Sequence, residues 1–276
     1  MADASATEVR SPKRNPLVEV LRDDVWQGLK QWRLWTALSK EDLRQRYQRT
    51  IFGVAWLFLS FGMFVLVKVV IFERMSNVED ISFAVFLCSG YLVWLFITGC
   101  IGEACIIFMS ASSWLKGVKI PVSVFIYKSI VGNLITFFFS SLILVGVIFW
   151  QGVPIKLSML WVIPAVLIFI VNAVWVYFFL GCICARFRDI QHLIGSVMRI
   201  MLFLTPILWV PSSLGRLGMY VWWNPFTHFL EIFRAPILTG ELPVQSWVVV
   251  LCITAIGWAS GLIVYSVCRH RIIFWI

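Results

Sequence analysis

The sequence predicts an all-α integral membrane protein. It has six transmembrane helices, an N-terminal amphipathic interface helix and an outer re-entrant helical hairpin before the last span. Three observations predict it. First, hydrophobic residues make up 61% of the 276 and charged residues only 13%, against roughly 25% charged in a soluble domain. Too little polar surface is left for a water-facing globule. Second, the apolar residues run in six long stretches, and about 20 such residues cross a bilayer. Lipid gives backbone N–H and C=O no partner outside a helix or a closed barrel. Barrel strands alternate, and these runs are continuous. Third, of the 23 Lys and Arg, all but Lys68, Arg74, Lys156, Arg216 and Arg234 fall on one side of the stretches. That side is cytoplasmic by the positive-inside rule, and it holds both termini. The net charge of +9 follows the membrane and forms no single patch, so nucleic acid is not an expected partner.

Residues 1–16 are polar, contain Pro12 and Pro16, and read as a disordered cytoplasmic tail. No cleavable signal peptide is expected, since the first apolar run begins only near Val54. Residues 17–53 read as a cytoplasmic interface helix followed by a basic segment. Leu17, Val18, Leu21, Val25, Leu29 and Trp32 recur at helical spacing, with Arg22, Asp23 and Lys30 between them. A helix over Leu17–Leu38 either lies in the headgroup plane or packs on a cytoplasmic partner; the sequence leaves both open. Arg44, Arg46 and Arg49 stand directly before the first span. They serve as snorkelling anchors, and the same guanidinium set suits bidentate capture of a phosphate or pyrophosphate.

Residues 54–276 read as the six-span domain, with spans at Val54–Phe72, Phe83–Met109, Val122–Trp150, Leu157–Ala185, Leu193–Val210 and Trp247–Cys268. The third and fourth are long enough to tilt or to continue past the membrane. The loop from Ser110 to Pro121 is short and amphipathic, carries Ser113, Trp114, Leu115, Lys116 and Lys119, and is stopped by its proline. It is either a docking helix or a connector. In the loop Arg186–His192, Asp189 is expected to pair with Arg186 or Arg188, and His192 to be a solvated or hydrogen-bonded loop residue. Pro206 and Pro211 break or bend the end of the fifth span. The outer segment that follows is still aromatic. Asn224-Pro225 signals a turn or a helix start, Thr227–Leu238 a short helix, and Glu231 and Arg234 a pair on its face. An apolar outer segment bracketed by prolines reads as a re-entrant hairpin.

Catalytic chemistry is sparse. No Walker A, H-E-x-x-H or G-x-S-x-G pattern occurs, and no carboxylate pair at a plausible site. The seven cysteines show no zinc spacing, and Cys182 and Cys184 read as packing residues. No enzyme activity, metal or cofactor of its own is expected. Glu103 and Lys68 read as the charges inside spans, and an intramembrane charge is a functional candidate. They belong to opposite ends of their spans, so a direct pair is not expected. Trp56, Phe58 and Phe61 in the first span and Tyr91, Trp94 and Phe96 in the second recur at one level. Such rings either pack or form a lining that stacks on sugars.

Arg44-Gln-Arg-Tyr-Gln-Arg-Thr-Ile-Phe-Gly53 followed by Trp56, then Lys116–Pro121, Phe187-Arg-Asp-Ile190, Thr205-Pro-Ile207 and Asn224-Pro225 stand in that order. The set, spread over residues 20–270, resembles the permease subunit of type 2 ABC exporters of lipid-linked polysaccharide, whose cargoes are O-antigens, capsular polysaccharides and teichoic acids. The resemblance implies a homodimer in a bacterial inner membrane, joined to two copies of a separate ABC ATPase that binds the ATP and Mg. It implies an undecaprenyl- or other polyprenyl-pyrophosphate-linked polymer as substrate, met by Arg44, Arg46 and Arg49. Leu17–Leu38 would be the interface helix. Ser112–Ile120, with Ser113, Trp114, Leu115, Lys116 and Lys119, would be the coupling helix. Spans one and five would border the channel, with Trp56, Phe58, Phe61, Tyr91, Trp94 and Phe96 lining it. Asn224, Pro225, Phe229, Glu231 and Arg234 would form the outer gate. The competing readings are an ABC exporter of a drug or small lipid, and a membrane scaffold without transport. An integral glycosyltransferase is disfavoured by the missing acidic constellation.

Overall fold

The computed structural model describes residues 17, 20–48, 52–72, 83–117, 120–211, 218, 220–269 and 271–275. Among these, all regular structure is helical. The tail 1–16, Arg49 and Lys119 lie outside the described residues, as do the side chains of Leu115 and Lys116.

The chain enters through a π-helical segment, Val20–Trp26, and a short helix, Gln27–Lys30. After a break at Gln31 it continues as α1, Trp32–Tyr47. The expected helix Leu17–Leu38 is thus in pieces and runs nine residues further. The wide π turn takes carbonyls out of the i→i−4 ladder. Two of them are claimed by α5 (Ser123–Trp150): the Asp24 carbonyl accepts from the Ser123 hydroxyl, and the Val25 carbonyl accepts from the Tyr127 hydroxyl at 3.0 Å. Gly28 allows this approach, because a Cβ there would meet Ser123 Cβ at 3.0 Å. The segment therefore packs on the chain's own helices. Its other face leaves Trp26, Leu29 and Trp32 exposed, with Lys30 and Arg33 over the two indoles, the composition of a headgroup-level surface.

Four helices are long and apolar enough to cross a membrane. They are α3 (Phe83–Ser110), α5, α6 (Val162–Arg186, entered through a 3-10 turn at Leu157–Trp161) and α9 (Val244–Cys268). Two further helices coincide with expected spans but are shorter: α2 (Trp56–Phe72) and α7 (Asp189–Leu204). Between α3 and α5 lies α4, Ser112–Gly117, and before α9 lies α8, Pro225–Leu238.

The sequence placed the fifth span at Leu193–Val210, and α7 departs from that at both ends. It begins at Asp189, whose carboxylate sits at the positive helix terminus. It stops at Leu204 because Pro206 lacks an N–H and forces Thr205 into extended backbone (φ −92°, ψ 137°).

The core is built around α3, which packs on α5, α6 and α8. The α6–α9 contact depends on Gly257 and Gly261, one turn apart. A Cβ on Gly257 would lie 2.2 Å from Trp175 Cε2, so the small pair receives the indole as small-xxx-small helix faces do. Asn172 of α6 adds a hydrogen bond to Thr254 Oγ1 (2.8 Å) and accepts from Trp175 Nε1 (2.8 Å).

Candidate functional site

At the end of the long helices beside α1, Glu103 gathers four helices. Its Oε2 accepts from Asn133 Nδ2 of α5 at 2.8 Å and from the Tyr177 hydroxyl of α6 at 3.2 Å. Its Oε1 faces Arg46 Nη2 of α1 at 3.8 Å, and a second pair, Lys128–Asp42 at 2.5 Å, ties α5 to α1 beside it. Gly99, one turn before Glu103, makes the room: a Cβ there would be 2.3 Å from Asn133 Oδ1. These partners offset the cost of a carboxylate at the rim of the bilayer. A cavity of about 240 Å³ opens here, lined by Asp42, Arg46, Glu103, Ser110, Trp114 and Lys128.

The sequence reading named Glu103 and Lys68 alone as charges inside spans; Lys128 in α5 and Arg199 in α7 must be added. Asp42 and Arg46, four apart on α1, present opposite charges on one face, a signal in the sequence that went unread. Lys68 lies 5.6 Å over the Phe64 ring, away from Glu103's partners. Of the two described arginines, Arg44 and Arg46, Arg46 reaches the cavity. Arg44 is exposed and, two residues back, points to another side of the helix.

A separate groove of about 470 Å³ lies between α3 and α7, lined among others by Thr98, Gly102, Gln191, His192, Gly195 and Arg199. None of the residues of α7 is buried. Gln191, His192, Gly195 and Arg199 face the groove together with Ile194, Met198 and Leu202, while Leu193, Val197, Ile200 and Leu204 are exposed elsewhere on the helix. Arg199 Nη2 donates to Ser196 Oγ at 3.0 Å, and Ser196 to the His192 carbonyl at 3.0 Å. His192 therefore belongs to the helix and not to the preceding loop. The expected pairing of Asp189 is not formed among the described residues; Arg186 instead lies over the rings of Phe187 and Trp275, at 5.4 and 5.7 Å.

The six aromatics do not share one surface. Phe61, Trp94 and Phe96 are buried. Phe61 stacks on Tyr91 at 5.7 Å, Trp94 meets Phe226 edge-on at 5.5 Å, and Phe96 meets Phe137 at 5.8 Å. Trp94 also borders the groove. Phe58 and Tyr91 are half-buried, and Trp56 is exposed, edge-on to Phe52 at 5.4 Å. Cys182 and Cys184 are buried packing residues of α6.

At the opposite end, Asn224 caps α8 by accepting from the Phe226 amide at 3.0 Å and donates Nδ2 to Thr205 Oγ1 at 2.9 Å. Pro225 takes the first helical position, where a missing N–H costs nothing, so α8 begins two residues before the expected Thr227. Phe229 packs against Phe169 at 6.0 Å. The expected Glu231–Arg234 pair is replaced. Arg234 is 2% exposed, donates Nη2 to the Pro206 carbonyl at 2.8 Å, and lies 3.9 Å over the Phe86 ring of α3, while Glu231 stays half-buried. Burial of an always-charged group over a ring was not visible in the spacing. His228 is buried between Ser246 Oγ (3.0 Å) and the Trp222 carbonyl (2.9 Å).

Residues 33–238 match the ABC-2 type transporter family. The chain belongs to that family. It is 21% identical over 241 residues to the O-antigen export system permease protein RfbA of Klebsiella pneumoniae, covering 86% of this chain and 93% of that one. It is 24% identical over 215 residues to the RfbA protein of Myxococcus xanthus, covering 76% and 82%. The polysialic acid transport protein KpsM of Escherichia coli is 24% identical over 219 residues, covering 75% and 81%. The ABC-2 match extends through α8, so the Glu103 cluster, the α3–α7 groove and the Asn224–Thr205 contact all lie within it. This ABC-2 protein is a multi-pass membrane protein.

Proposed function

We propose that this chain is the permease subunit of an ABC exporter of lipid-linked polysaccharide, and that the α3–α7 groove is part of the polymer's path. The observation that carries the reading is the set of polar side chains, Gln191, His192 and Arg199, that α7 presents to the groove among Ile194, Gly195, Met198 and Leu202, on a helix flanked by membrane-spanning ones. Polar and charged side chains are costly against lipid and mark aqueous pathways. The names of the O-antigen and polysialic acid relatives supply the class of cargo.

In this reading α2 and α7 complete six spans, the termini face the cytoplasm of a bacterial inner membrane, and two copies enclose the path. Two ATPase subunits hold the ATP and Mg. They act on α4, where Ser113, Trp114, Leu115 and Lys116, followed by Lys119, form the docking surface. Trp114 is 50% exposed and also borders the cavity with Arg46 and Glu103, so movement of α4 reaches that cavity directly. Arg46, with Arg44 and Arg49 beside it, receives the polyprenyl-pyrophosphate end. The amide, imidazole and guanidinium of this set hydrogen-bond sugars one after another, and contacts of moderate strength suit a polymer that must slide. Of the six aromatics Trp94 is the one that borders the groove.

A strain lacking this gene tests the reading. The expected result is a polyprenyl-linked polymer trapped in the cytoplasm with the surface polymer lost. Normal surface glycan with no trapped intermediate favours export of a drug or small lipid, or a scaffold.

A further inference from the structure

We propose that Arg234 is a positioning residue that latches the outer end of α7 in the resting transporter, and that the path opens when the Pro206 carbonyl leaves its guanidinium. The proposal rests on reading the α3–α7 groove as the path.

Three elements meet at this one side chain. Arg234 comes from α8, Phe86 beneath its plane from α3, and the Pro206 carbonyl from the turn that ends α7. That turn is where α7 is fixed. The helix itself has no buried residue, yet Thr205, Ile207 and Leu208 just beyond it are 0%, 0% and 7% exposed. The proline break makes the joint. It ends the helix at Leu204 and turns the Pro206 carbonyl away from the helical ladder, toward the guanidinium. Asn224 adds the second tie, to Thr205 Oγ1 at 2.9 Å. The site is shaped for a flat cation. Gly90 faces it, and a Cβ there would stand 2.5 Å from Arg234 Nη2. A lysine ammonium keeps a donor but has no plane to lay on Phe86.

The latch is also incompletely satisfied. Arg234 Nε is buried without a hydrogen-bond partner, and no salt bridge reaches the guanidinium among the described residues. Burying a charge is costly unless it is paired and fully hydrogen-bonded. A joint of this kind holds by geometry while keeping the released state close in free energy.

The test uses a Gln191→Cys reporter on the groove side of α7 in the intact transporter with its ATPase, labelled from outside by a charged, membrane-impermeant thiol reagent. A parent without the reporter gives the background from the native cysteines. Arg234→Met and Gly90→Ala are expected to raise the resting labelling rate about ten-fold, the scale set by losing a hydrogen bond to a charged group. Arg234→Lys falls between parent and Arg234→Met. Thr205→Val loosens the second tie without disturbing a buried charge, and raises the rate even if Arg234→Met fails to accumulate. Unchanged resting rates in all four variants, with the reporter labelled during active export, overturn the latch and leave the path standing. Reduced membrane abundance with unchanged labelling of the surviving protein makes Arg234 structural only and also overturns it. A reporter never labelled, active export included, removes the path reading and the latch with it.

Discussion

Glu103 is the residue on which the half of the molecule beside α1 turns. Its two oxygens serve Asn133, Tyr177 and Arg46. Glu103→Ala strips the acceptor from Asn133 and Tyr177, and unpaired buried groups cost about 1–3 kcal/mol. The purified protein is expected to melt at lower temperature, while Glu103→Gln, which keeps an amide acceptor, recovers part of the loss. Equal melting of Glu103→Ala and the parent would exclude the hub. The sequence marked Glu103 as an acid in need of partners. It did not reveal them, because Asn133 and Tyr177 are 30 and 74 residues away and carry no charge to search for. Arg46 and Arg44 separate for a simpler reason: two residues on a helix look in different directions. Arg46→Ala is therefore expected to lower export of the polymer more than Arg44→Ala, with the complex still assembled. Loss of assembly in Arg46→Ala would make it an anchor instead.

The elements were legible where periodicity was strong and less so where a local exception ruled. The long helices α3, α5, α6 and α9 fall close to the expected spans because continuous apolar runs leave little choice. The entry helix was misjudged because the π turn at Val20–Trp26 is dictated by what α5 offers its carbonyls, a tertiary cause. The end of α7 was overrun although Pro206 was in view; apolar residues past the proline pack as a buried turn and look like more span. The α6–α9 contact gives a prediction at this scale. Gly257→Ala places a methyl against Trp175, and overpacking costs typically ~1–3 kcal/mol. Thermal stability is expected to fall, and adding Trp175→Phe is expected to restore part of it. An additive double variant would show that the two sites do not touch. For α4, Lys116→Glu with Lys119→Glu is expected to reduce the polymer exported per ATP hydrolysed without loss of membrane insertion. Coupling at the parental level would refute the docking role.

For the whole molecule, the distribution of Lys and Arg and the length of the apolar runs were enough to give an all-helical, multi-pass chain. They were not enough to show the α3–α7 groove. The expected channel aromatics were chosen because they share a level in two spans, yet Phe61, Trp94 and Phe96 are largely spent on packing within one chain. The polar set of α7 was present in the sequence and went unread, because Gln191 and His192 were taken as loop. Seen at full scale, the α3–α7 groove lies between two joints, the Glu103 cluster beside α4 and the Asn224–Thr205 contact at α8. The central claim is that the groove side of α7 touches the polymer. A photo-reactive amino acid placed singly along α7, in cells exporting glycan, tests it most directly. Capture of polymer at Gln191, Gly195 and Arg199, and none at Leu193, Val197 and Ile200, is the expected result. Capture on the apolar positions alone, or equally on both sets, would contradict it.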